Sequence, residues 1–142
     1  MRKIINLMFN KYNVMRYGID FMGYIITDPN KLSFHHLIIP EEDGGLERIE
    51  NGALLMRRAH DYLHIIEHTD RPIYEAIRAE MILINFEGKI EMDRIIRINY
   101  LLKMYEEKHK EDTTEKGLIL IKADFKNRFL NRVNPWDSEN TA

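Results

Sequence analysis

The chain has no cysteine among its 142 residues, which excludes disulfides, thiolate-bound zinc and a cysteine nucleophile and fits a reducing cytoplasm. Any metal must then be held by histidine, aspartate or glutamate. Long hydrophobic runs are also missing. Stretches such as Met81 to Ile84 and Gly117 to Ile121 fall far short of the roughly 20 apolar residues that cross a bilayer. The basic start Met1-Arg2-Lys3-Ile4-Ile5-Asn6 loses its apolar character at Asn10, Lys11 and Tyr12, so neither a membrane helix nor a secretion signal is expected. An excess of positive charge is lacking too. The formal net charge is −2, which argues against the basic body of a simple nucleic-acid coat protein.

What is present is the composition of a globular protein, with 44% hydrophobic and 31% charged residues and a length that suits one domain, 1–142. Charge is distributed unevenly. Residues 1–16 hold Arg2, Lys3, Lys11 and Arg16 without an acid, and a basic tail at 116–133 sets Lys116, Lys122, Lys126, Arg128 and Arg132 against Asp124 alone. Such stretches pair with phosphate or are simply solvated.

The periodicity changes along the chain. Phe21 to Ile26 and Lys31 to Ile39 are rich in aromatic and branched residues and flank the turn-former Asp28-Pro29-Asn30, which predicts extended segments. Pro40 to Gly45 is an acidic loop, and Asn51-Gly52 is a turn signal before a short strand, Ala53 to Met56. From Arg57 to His68 the pattern becomes helical. A second helix opens at Arg71-Pro72 and stacks Ile73, Ile77, Met81 and Ile84 on one face before Gly88. A third, from Glu91 to Lys110, aligns Ile95, Ile98, Leu101, Leu102 and Tyr105 opposite Arg94, Arg97 and Lys108; that stripe packs on the core or against a second copy in a homodimer. The fold class expected is α+β.

Five of the six histidines lie between residues 35 and 68. His60 and His64 are four apart on the predicted helix, so their rings share a face one turn apart and can grip one ion, although this spacing also occurs on ordinary surfaces. His35 and His36 end an apolar strand and point to opposite sides, which divides their roles; the alternative is a hydrogen-bonded pair at a strand end. Asp61 and Glu67 either hold a ligand imidazole by its other nitrogen or are ordinary helix acids. His68 and His109 read as surface residues.

The order Phe34-His35-His36-Leu37-Ile38-Ile39-Pro40, Gly44-Gly45, Glu50-Asn51-Gly52, Arg58-Ala59-His60-Asp61-Tyr62-Leu63-His64 resembles the HNH, or ββα-metal, nuclease family, and within it the colicin-type DNases. The resemblance covers about 32–68. It implies a ββα-metal motif with additional C-terminal helices, about 72–110, packed on it. Carried over by position, it makes His35, His60 and His64 ligands of one divalent ion (Mg, Mn, Ni or Zn), His36 the general base, and Asn51 the brace of the long loop that helps to orient the base. The chemistry wants these types: an imidazole can take a proton from water near neutral pH, and an ion on imidazoles keeps open positions for phosphoryl oxygens. Two departures are visible. Met56 and Ala59 stand where many members of the family carry cysteines of a structural zinc staple, and Ser33 stands where the bacteriocin relatives often carry an acid. Arg57 and Arg58, against the helix dipole, are candidates to touch phosphate.

The resemblance implies a DNA endonuclease, most naturally on double-stranded DNA, of the small free-standing kind often encoded by phages. A protein-binding inhibitor or regulator on the same fold, for example a phage-encoded anti-defence protein keeping its metal site, is the alternative, and a histidine-only structural metal module is a third.

Overall fold

A computed structural model of the chain describes residues 2–12 and 18–110. The basic tail at 116–133 and Arg16 lie outside them. Among the described residues the architecture is α+β: four α-helices and one two-stranded antiparallel sheet. Helix α1 spans Lys3–Lys11, strands β1 and β2 span Leu32–His36 and Gly52–Met56, and helices α2, α3 and α4 span Arg57–Thr69, Arg71–Glu87 and Met92–Lys108.

The register pairs Leu32 with Met56 and His36 with Gly52, so His35 stands opposite Ala53. All five residues of β2 are buried, because both α1 and α2 pack on it. Each fully buried Leu of Leu54-Leu55 contributes on the order of 1.5–3 kcal/mol by leaving water. Gly52 is required for close approach: a Cβ there would lie 1.9 Å from the Phe34 ring, so any larger residue would displace that ring.

Helices α2 to α4 follow the apolar spacing. Ile73, Ile77, Met81 and Ile84 are all buried on α3, as are Ile95, Ile98, Leu102 and Tyr105 on α4. Asp70 caps α3 through the Ile73 amide at 3.3 Å, and its Oδ2 takes Lys108 Nζ at 2.8 Å and His109 Nε2 at 2.9 Å. The end of α4 is thereby pinned to the α2–α3 junction. His109, expected on the surface, has a side chain only 15% exposed.

One helix is additional to the expected elements, and one expectation differs. Residues 3–11 form an amphipathic helix, α1, that buries Ile4, Ile5 and Met8 in the common core. The segment Phe21 to Ile26 is not a strand but a folded-back loop that includes the bridge Ile19 to Ile25. The buried Asp20 carboxylate accepts the amides of Met22 and Tyr24 at 2.9 Å and of Met56 at 2.8 Å. Amides engaged by a side chain cannot join a sheet ladder.

Candidate metal centre

β1 delivers His35 and α2 delivers His60 and His64. One ring nitrogen of each lies within 4.8 Å of the others. The ring centroids of His60 and His64 are 4.7 Å apart and stacked, as a four-residue helical step dictates, and each lies 5.2 Å from the His35 centroid. Strand alternation and helix pitch account for the two pairs separately; the packing of α2 on the sheet joins them. This group can hold a metal ion.

Each ring is held from behind by a different element. His60 Nδ1 lies 2.8 Å from Ser33 Oγ, and that hydroxyl donates its single proton to the Leu55 carbonyl at 2.9 Å. The hydroxyl must therefore accept from His60 Nδ1–H, which leaves the Nε2 lone pair free. His64 Nδ1 is 3.2 Å from the Glu67 carboxylate, an arrangement that likewise protonates Nδ1 and frees Nε2. His35 Nε2 is 2.9 Å from the Tyr74 hydroxyl. Ser33 is thus the partner of one ring, and Glu67 is the partner of another. Asp61 instead pairs with Arg57 at 3.0 Å.

Burial suits these rings to ligation. His35 is pushed down to about 3 by desolvation and by the neighbouring His60 and His64, and His60 to about 4 by desolvation and then by His64 and Arg57. Both are neutral at pH 7 and offer lone pairs. Burial also raises the Tyr74 hydroxyl to about 12, so it keeps its proton. Replacing Tyr74 with Phe leaves a buried imidazole nitrogen unpartnered and is expected to weaken ion binding about 10–100-fold, read by competition titration with Zn²⁺; a change below about threefold would remove Tyr74 from any positioning role.

His36 follows on β1 with its ring edge-on to Phe34 at 4.9 Å. It lines the same cleft as the three histidines, yet its Nε2 is buried without a hydrogen-bond partner among the described residues. Asn51 is buried behind the cleft. Its Oδ1 accepts from Ile38 and Ile39 amides at 3.0 and 2.8 Å, and its Nδ2 donates to the Ile39 and Leu46 carbonyls, both at 3.1 Å. All four capacities of the amide are spent on the loop. No hydrogen bond to His36 appears, so Asn51 reaches that residue only through the backbone: its carbonyl accepts the Leu37 amide at 2.9 Å. Gly45 completes the turn, since a Cβ there would lie 1.9 Å from the Ile39 oxygen.

The cleft encloses about 910 Å³. Arg57 and Arg58, singled out by their place on the helix, are exposed and do not line it. The arginines that do are Arg2, Arg71 and Arg78, facing Glu41, Glu42, Glu47, Glu67 and Glu75. Each of these arginines is paired: Arg2 with Glu47, Arg71 with Glu67 and Glu75, and Arg78 with Glu75 and the Leu37 carbonyl. Tyr74, Arg71 and Arg78 had no signal in the sequence, because α3 reaches the site across the fold, Tyr74 at His35 and Arg78 at the Leu37 carbonyl.

No helix among the described residues is long and apolar enough to cross a membrane. Set against models of known protein families, curated proteins and solved structures, the chain has no match.

Proposed function

We propose that the cleft is a metal-dependent phosphodiester-hydrolysing centre of the ββα-metal (HNH) type, acting on DNA. The observation that carries this reading is the juxtaposition of three histidines whose ring nitrogens converge within 4.8 Å with a fourth, His36, in the same cleft and without a partner on Nε2 among the described residues.

The donor set fits a divalent ion of borderline character. Buried neutral imidazoles suit zinc and nickel better than magnesium, which prefers oxygen. When bound, such an ion supplies polarisation of a phosphoryl oxygen and stabilisation of charge on the leaving oxygen. Within the chain, Ser33, Tyr74 and Glu67 fix the three rings. His36 receives the proton of an attacking water, a role for which an imidazole whose Nε2 has no hydrogen-bond partner among the described residues is suited. Asn51 holds the loop 37–46 closed behind His36. Arg71 and Arg78 meet phosphate only by exchanging Glu67 or Glu75 for it, which favours substrates that bring their own strong negative charge.

The test is incubation of the purified chain with supercoiled plasmid and Mg²⁺, Mn²⁺, Ni²⁺ or Zn²⁺, beside the same mixtures with a chelator. Nicked or linear product is expected with at least one ion and none after chelation. Intact plasmid under all four, while calorimetry records bound ion, would remove the nuclease reading. The acidic rim favours the second reading, in which a basic protein partner docks over Glu41, Glu42 and Glu47; pull-down by a basic partner without DNA cleavage is its signature.

A further inference from the structure

We infer that the C-terminal half of α2 carries a second divalent-cation site, formed by His64, Glu67 and His68, which competes with the three-histidine group for His64. The spacing i, i+3, i+4 sets the three side chains on one helical face. One donor atom of each lies within 4.8 Å of the others. Two imidazoles and a carboxylate form a donor set that zinc and cobalt accept readily, with open positions left for water. Glu67 and His68 line the same cleft as the first group. His68 is exposed and has no hydrogen-bond or ion-pair partner among the described residues.

Competition follows from the chemistry of one ring. A neutral imidazole has a single lone pair, so His64 serves one ion at a time. The first group draws on two buried rings, His35 and His60, and on two elements of the fold. The second sits on one helix with His64 45% exposed, and its carboxylate is already shared, Glu67 Oε1 with His64 at 3.2 Å and Oε2 with Arg71 at 3.3 Å. The second site is therefore the weaker one. As the free ion rises, a second ion fills this site and takes His64 while the first keeps His35 and His60, so excess metal strips one ligand from the centre that a trace of metal assembles. The inference rests on the three-histidine reading only through His64.

The test is titration of the full chain with Co²⁺, followed by visible absorption and calorimetry, and repeated with Zn²⁺. The wild type is expected to bind in two phases, and the second phase should alter the spectrum acquired in the first. His68→Ala should lose the weaker phase and keep the stronger one unchanged. His35→Ala should lose the stronger phase and keep the one that depends on His68. A single phase in the wild type, or two unaltered phases in His68→Ala, overturns the second site. A first-phase spectrum that does not change during the second overturns the competition. If His35→Ala leaves the strong phase intact, the three-histidine reading falls while the His68-dependent phase is judged on its own.

Discussion

Metal-dependent cleavage by the His36→Ala protein is expected to fall about 10²–10⁴-fold, the range that removal of a general base costs, with ion binding unchanged. The two readouts separate because His36 and His35 are neighbours on β1 with different surroundings. His35 is buried among His60, His64 and Tyr74, whereas His36 contacts Phe34 and the cleft. Its removal deletes no hydrogen bond among the described residues, so the fold should keep its thermal midpoint. Plasmid nicking measured beside Zn²⁺ titration decides the matter. Full cleavage by His36→Ala would strip His36 of the base role, and lost ion binding would make it a ligand.

Asp20→Ala is expected to destabilise the fold by on the order of 3–5 kcal/mol, because each buried amide left unpartnered costs about 1–3 kcal/mol. Three amides depend on this carboxylate, those of Met22, Tyr24 and Met56. Met56 is also the last residue of β2, one step before α2 begins, so the loss loosens the junction that aims His60. Urea unfolding gives the number; a change below about 1 kcal/mol would mean that water replaces the carboxylate. The pH dependence has a defined sign. Burial pushes Asp20 up to about 8, against the backbone amides of Met56, Met22 and Gly23 that lower it. A folded value above the unfolded one means that its contribution is complete below the ordinary carboxylate range and declines as pH rises towards 8. The gap in stability between wild type and Asp20→Ala should therefore narrow from about pH 4 to pH 9.

Helices α2, α3 and α4 are legible in the sequence because one stripe of apolar residues repeats at helical spacing without interruption. Helix α1 has the same mark in Ile4, Ile5, Met8 and Tyr12, but Arg2, Lys3 and Lys11 invite a reading by charge, and a helix of nine residues shows barely two turns of pattern. Phe21 to Ile26 has strand composition; its amides nevertheless go to Asp20, to local turns and, at Phe21 alone, to the Leu54 carbonyl of β2, a choice that depends on where β2 ends. Asn51-Gly52 looks like a hairpin turn, yet Asn51 closes a short 3-10 turn, Ile49–Asn51, and Gly52 is extended at φ −144° inside β2. The glycine is there for the Phe34 ring rather than for the turn.

The four histidines of the candidate site stand out from the residues alone, since the i, i+4 step of His60 and His64 and the alternation of His35 and His36 are properties of local geometry. The absence of cysteine settles by composition alone that an ion here would meet imidazole and carboxylate. Burial, tautomer and partner are different matters. Ser33 reaches His60 across 27 residues of chain and Tyr74 reaches His35 across 39, and neither spacing carries a pattern. The same packing withdraws Arg57 and Arg58 from the cleft and brings in Arg71 and Arg78, each already matched by a glutamate. Local spacing specifies which side chains share a turn or a face, whereas the distance between a strand and the helices covering it, and the water excluded from between them, depend on how the whole core closes.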